Sequence, residues 1–270
     1  MSISFSWKRR IARAQQLSEE AAHAVQMLAF YVEILKWQQS IFDHFSEIHK
    51  ESLTGAFERD SGIILEHFGS LLNLVRQNGS EALSAQAGRL SSTEDRWKEY
   101  LAVWWNSEHD PAQSFFARVC LQPYLEFLAQ INAPPLDSKI GTEGEQPHHR
   151  CPFCRRKPQL AILTDDPAES MESGRRILQC GDCETAWSFP RIACPNCLEV
   201  DPHKLAYYVA EEFPTIRVDC CDSCQHYLKT IDMMKDRRLV PIVDELAALP
   251  LDLWAVEQGY TKIEQNLAGI

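Results

Sequence analysis

No apolar stretch of about 18 residues or more occurs in this chain of 270 residues, so the sequence offers no membrane-spanning helix. Positive charge is in deficit. Lys and Arg number 27 against 38 Asp and Glu, a formal net charge of −11, which repels phosphate backbones and anionic membrane surfaces. Nucleic acid is therefore not the expected partner. An export core is also missing. Arg9-Arg10 suggests a twin-arginine signal, but Gln15, Gln16, Ser18, Glu19 and Glu20 follow where an apolar region is required. The chain is expected to stay in the cytoplasm, where thiols remain reduced. Finally, no Ser/His/Asp set, phosphate-cradling glycine loop or pair of acids in an apolar setting can be assembled. Asp165-Asp166 and Glu211-Glu212 are adjacent acids in polar turns and read as solvated. The sequence implies no enzyme.

What the chain does have is cysteine. Eight of its ten cysteines fall into four C-x-x-C pairs: CPFC from Cys151 to Cys154, CGDC from Cys180 to Cys183, CPNC from Cys194 to Cys197 and CDSC from Cys221 to Cys224. In a reducing compartment this spacing signals metal binding rather than disulfides. A tight turn brings two cysteines separated by two residues to one point, and a second pair from a distant turn completes a tetrahedral sulfur site. The first pair repeats after 43 residues and the second after 41, so one supersecondary unit is used twice. A unit that short cannot bury a sufficient apolar core, and a structural metal supplies the missing stability. Cys151, Cys154, Cys180 and Cys183 are expected to form one site, and Cys194, Cys197, Cys221 and Cys224 the other. An interleaved pairing stays open, because spacing alone does not fix connectivity. Four thiolates suit zinc or mononuclear iron.

The remaining candidates have plainer readings. Cys120, among Phe115, Phe116, Val119 and Leu121, reads as a small core residue. Cys220 is a spare thiol or an alternative ligand beside Cys221. His148, His149, His203 and His226 read as solvated, and Trp104-Trp105 as core.

The expected architecture is α+β. Residues 1–131 form an all-α bundle. Ser18 with Glu19 and Glu20 resembles a helix start, leading into a long helix apolar on two sides; further helices begin near Asp60, Ser92 and Asp110-Pro111. Pro123 is expected to kink or divide the last of these. Residues 132–150, dense in Pro, Gly and charge, form a linker. Residues 151–192 and 193–232 are two tandem metal ribbons, rubredoxin-like or zinc-ribbon in kind, each ordered as knuckle, two strands, knuckle, strand. Residues 233–270 return to helix from Pro241.

CPFCRRKPQLAIL, GRRILQCGDCETAW, CPNC and CDSCQHYLKTID, in that order, resemble the formate dehydrogenase accessory protein family, FdhE. DPAQSFFARVCLQPYLEFLA is similar to that family's segment before the linker, whereas Cys220 departs from its pattern. The resemblance implies a cytoplasmic, non-enzymatic assembly factor for the catalytic subunit of respiratory formate dehydrogenases exported by the twin-arginine route. It also implies rubredoxin-like iron on the eight cysteines, with zinc as the alternative. An electron-transfer module and a zinc-ribbon nucleic-acid binder are the competing classes.

Overall fold

The computed structural model describes residues 6–47, 53–106, 114–131, 149–165 and 174–269. Its helical part is built by α1 (Trp7–Glu20), α2 (Val25–Glu47), α3 (Phe57–Asn78), α4 (Glu81–Ser91), α5 (Trp97–Asn106) and α6 (Ser114–Gln130). Helix α1 begins earlier than the sequence reading placed it. The Ser6 hydroxyl accepts from the Arg9 amide at 3.4 Å as its N-cap, and Trp7, Arg10 and Ala14 form its inward stripe. Ser18, Glu19 and Glu20 therefore close α1 instead of opening α2, because a buried stripe outweighs a surface capping pattern. Arg10 reaches the interior and pairs through two guanidinium nitrogens, each at 2.8 Å, with Glu126 on α6. Helix α2 buries two sides, as expected. The Ser92 region forms a short 3₁₀ turn leading into α5. The Asp110-Pro111 cap and residues 132–148 of the expected linker lie outside the described residues.

Helix α6 is buried around its whole circumference and runs unbroken through Pro123. Proline cannot donate to the carbonyl four residues back, here Val119. That carbonyl instead accepts from Gln38 Nε2 on α2 at 3.0 Å. Replacement of the lost helical bond by a buried amide is why the helix is not divided.

The second half forms one sheet, not two separate ones. Its strands are β1 (Pro158–Thr164), β2 (Arg175–Cys180), β3 (Ala186–Ser188), β4 (Leu205–Val209), β5 (Ile216–Cys221), β6 (His226–Asp232) and β7 (Thr261–Lys262). Their order is β3-β2-β1-β6-β5-β4. Each ribbon is an antiparallel meander, and the two join where β1 pairs in parallel with β6 from Leu160↔Lys229 to Leu163↔Asp232. Strand β7 pairs with β6 at His226 and Tyr227. Leu160, Ile162, Ile177, Val218 and Ile231 on one sheet face share a continuous core with Leu35, Phe45, Leu72 and Leu125 of the helices. Ala161, Leu178 and Leu228 on the other face pack under Phe189 and Ala193.

The expected C-terminal helix is two short ones, α7 (Pro241–Ala247) and α8 (Leu249–Glu257). Pro250 lacks the amide that would continue α7. These helices cover a buried charge network in which Lys229 and Lys262 meet Glu245 and Asp252, with Tyr227 donating to Asp252 at 2.9 Å. Burial would push the Glu245 carboxyl up, but the two ammonium groups hold it down at about 2. Among the described residues, no helix is long and apolar enough to cross a membrane.

Substituting Gln38 by Leu removes the donor to the Val119 carbonyl while keeping the side-chain volume. A loss of about 1–3 kcal/mol in urea unfolding is expected, the cost of an unpaired buried acceptor.

Candidate metal centres

Each C-x-x-C pair sits in a turn of one kind. The amide of the residue after the second cysteine donates to the carbonyl of the first: Arg155 to Cys151 at 3.0 Å, Glu184 to Cys180 at 3.2 Å, Leu198 to Cys194 at 3.0 Å and Gln225 to Cys221 at 2.8 Å. To close that turn the same four residues adopt positive φ, at 65°, 60°, 64° and 55°. Among the described residues they are the only non-glycine residues in this region, where an L side chain costs about 1–2 kcal/mol. Among the described residues, the left-handed strain outside glycine is thus concentrated at the four knuckles. Backbone amides also point at sulfur. Cys154 N lies 3.5 Å from Cys151 Sγ, Asp182 N 3.5 Å from Cys180 Sγ, and Asn196 N 3.4 Å from Cys194 Sγ.

The turns gather the eight cysteines into two quartets. Cys151, Cys154, Cys180 and Cys183 form one, and Cys194, Cys197, Cys221 and Cys224 the other, with the sulfurs of each within 4.8 Å of one another. In the first, Cys151–Cys183, Cys154–Cys180 and Cys154–Cys183 are separated by 3.5, 3.4 and 3.5 Å. In the second, Cys194–Cys224 and Cys197–Cys221 are each 3.7 Å apart. Disulfide sulfurs would stand at about 2.05 Å. Four sulfurs placed about 2.3 Å from a central ion stand roughly 3.8 Å apart at the corners of a tetrahedron. The two quartets match the second arrangement, and all ten cysteines are free thiols. A cation deprotonates coordinating thiols and is the natural stabiliser of four sulfurs gathered this closely. Each quartet could hold one metal ion.

The quartets differ in surroundings. Three of the first four cysteines are buried and Cys154 is half-buried; in the second, Cys197 is exposed and Cys224 half-buried. The first is held by a polar stripe on α6 that the sequence reading did not pick out. Arg118, Gln122 and Glu126, four residues apart, are all buried and face the CGDC knuckle. Arg118 Nε donates to Asp182 at 2.6 Å, Gln122 Nε2 to the Gly181 carbonyl at 2.9 Å, and Arg118 Nη2 to Gln159 Oε1 at 2.6 Å. Arg10 lies 3.6 Å from Glu184. Arg156 completes the contact, with its guanidinium 3.6 Å from the centroid of the buried Trp104 ring. The available signal was three polar residues at helical spacing within the otherwise apolar FFARVCLQPYLEFLA. Gly181 permits the approach, since a Cβ there would collide with Gln159 Oε1 and Arg118 Nη2.

The other sequence candidates fall outside the quartets. Cys220 is buried one residue from Cys221 and opposite Tyr227; strand alternation sends it to the other face of β5, into the main core. Cys120 is a core residue on α6. His226 Nδ1 donates to the Cys224 carbonyl at 2.6 Å, His203 is exposed, His149 joins neither quartet, and His148 lies outside the described residues.

Gly181→Ala should lower stability by about 1–3 kcal/mol in urea unfolding, as overpacking does. Gln225→Gly, at an exposed knuckle residue, should instead raise it by about 0.5–1 kcal/mol by removing left-handed strain.

Residues 192–268 match the family model described as FdhE, C-terminal domain. An FdhE homologue from Aquifex aeolicus is 32% identical, the alignment covering 95% of this chain and 93% of that protein. The FdhE protein of Escherichia coli K12 is 33% identical over 124 residues, 46% of this chain and 38% of its own length. In fold, the chain is similar to the crystal structure of the FdhE protein from Pseudomonas aeruginosa, with a TM-score of 0.66 over 97% of this chain and 94% of that one at 24% identity. Relatedness along nearly the full length, carried by a chain with two cysteine quartets, places this protein in the FdhE family.

Proposed function

We propose that this protein is a cytoplasmic assembly factor for formate dehydrogenase that works by binding, not by catalysis. In this reading Cys151, Cys154, Cys180 and Cys183 hold one metal ion, and Cys194, Cys197, Cys221 and Cys224 hold a second. The helical platform and the two ribbons together engage the catalytic subunit of formate dehydrogenase. The observation that carries the proposal is the pair of tetrahedral-sized sulfur quartets within a chain of FdhE kinship. Iron is the favoured ion, held as in a rubredoxin, and zinc the alternative; both accept four thiolates. The acidic net charge of −11 suits a protein client better than nucleic acid.

The quartets have different duties. The first is enclosed between the sheet and α6 and acts as a structural clip. The second carries the exposed Cys197, which favours a second reading in which an iron ion there exchanges electrons with a partner. Reversible bleaching of a thiolate-to-iron absorption band under mild reductant supports that reading, and a colourless zinc protein ends it.

The test is affinity capture of the native protein from an extract of its own host. Enrichment of the formate dehydrogenase catalytic subunit, lost in Cys194→Ser and Cys221→Ser variants, is the expected result; failure to enrich that subunit with the unaltered protein refutes the assignment. Metal release separates the two sites. One equivalent should leave quickly to a chromogenic chelator and the second at least about tenfold more slowly, as burial of three cysteines restricts access. Cys197→Ser should accelerate only the fast phase.

A further inference from the structure

The sheet ends on two very different edges. Strand β3 is three residues long, the short form by which natural sheets protect an edge. Strand β4, LAYYV, has five residues and no charge, and among the described residues no strand pairs with its outer side. Tyr207 is 62% exposed, Val209 50% and Tyr208 42%. An uncharged apolar strand left open in this way is a template for another strand. Beside it lies a groove of about 830 Å³ between the turn joining α1 to α2, the β4–β5 hairpin and α8. Val218 and Leu251 line it, and Tyr208 packs on Trp254 with ring centroids 4.7 Å apart. Among the described residues its only acids are Glu20 and Glu212, and no Lys or Arg lines it. His23, also in the groove, is bonded to the Ala247 carbonyl at 2.8 Å.

We infer that β4 and this groove receive an extended segment of a protein partner, added as a further strand, with apolar side chains in the groove and a basic side chain at Glu20 and Glu212. Main-chain bonds along a free edge supply affinity in such recognition, and pockets for alternate side chains supply selectivity. The acidic rim selects the sign of charge. A second copy of this chain is the poorer occupant, since it would bring the same acids and a net charge of −11 against them. The inference deepens the binding role proposed above and rests on it for the partner's identity, not for the chemistry of the groove.

The probe is a fluorescein-labelled synthetic peptide of alternating valine and threonine with an arginine at each end, titrated by anisotropy into the full metal-loaded chain. Saturable one-to-one binding is expected, weakened about tenfold in the Glu20→Gln/Glu212→Gln double variant, by glutamate in place of the peptide arginines, and by added salt. Unchanged metal content and circular dichroism establish that the variant is folded. Val209→Lys, which places a charge on the open edge, should also weaken binding. Absence of saturable binding, or binding indifferent to the sign of charge, overturns the inference. So does a concentration-dependent dimer in light scattering that Val209→Lys abolishes, which would assign the edge to a second copy. Capture of the formate dehydrogenase subunit that is unaffected by the double variant, together with no peptide binding, removes the groove and leaves the assembly role standing. Peptide binding without such capture supports the groove and removes the assembly role.

Discussion

The contact between α6 and the CGDC knuckle is the interaction on which the arrangement of this protein turns. Arg118 is buried and paired at 2.6 Å with the buried Asp182, and Gln122 holds the backbone of the same turn. Arg156 stands 3.6 Å from the same carboxylate, and Arg118 also donates to Gln159 at 2.6 Å, so the buried charges are held by several partners at once. Such a pair adds little to stability over an apolar match, but it tolerates only one register between helix and ribbon. The amides extend the constraint into the bundle, from Gly181 through Gln122 to Gln38 and the carbonyl that Pro123 leaves free. The proline, which by itself would break the helix, is thus absorbed into the network that orients the first cysteine quartet.

From that seam the rest of the β half follows by pairing. The first ribbon is held against the helices, and the second is joined to it by hydrogen bonds between β1 and β6, by the ion pair of Arg176 with Asp219 at 3.1 Å and by apolar packing on both faces of the sheet. The network of Lys229, Glu245, Asp252 and Lys262 fastens the second ribbon to α7, α8 and β7. Two copies of one sequence pattern therefore acquire unequal environments. The copy against α6 keeps three of its four cysteines buried and ends on the three-residue β3, while among the described residues the other keeps an exposed cysteine and the longer edge strand β4.

Much of the site was legible beforehand, for a local reason. A C-x-x-C turn is a short-range object, so CPFC, CGDC, CPNC and CDSC announce four knuckles whatever lies elsewhere. Quartet membership agreed with the spacing reading because a short hairpin returns the second pair to the first. The strands beside the knuckles were also readable from period and β-branching, as in TIRVD and HYLKTI. Helix boundaries were less so: Ser18 resembled a start and is an end, because the burial of Trp7, Arg10 and Ala14 lies beyond what a capping motif can report.

The sequence by itself determined the α+β class, the four cysteine knuckles and the acidic character, since these depend on composition and on neighbours a few residues apart. Only the tertiary structure decided which knuckles meet in each quartet, that the two ribbons share one sheet, that Arg118 and Gln122 grip one knuckle, and that the first quartet is more deeply buried than the second. Those outcomes depend on which strand edges meet and which faces lose water, and such long-range pairings are selected by packing free energy that no local periodicity encodes.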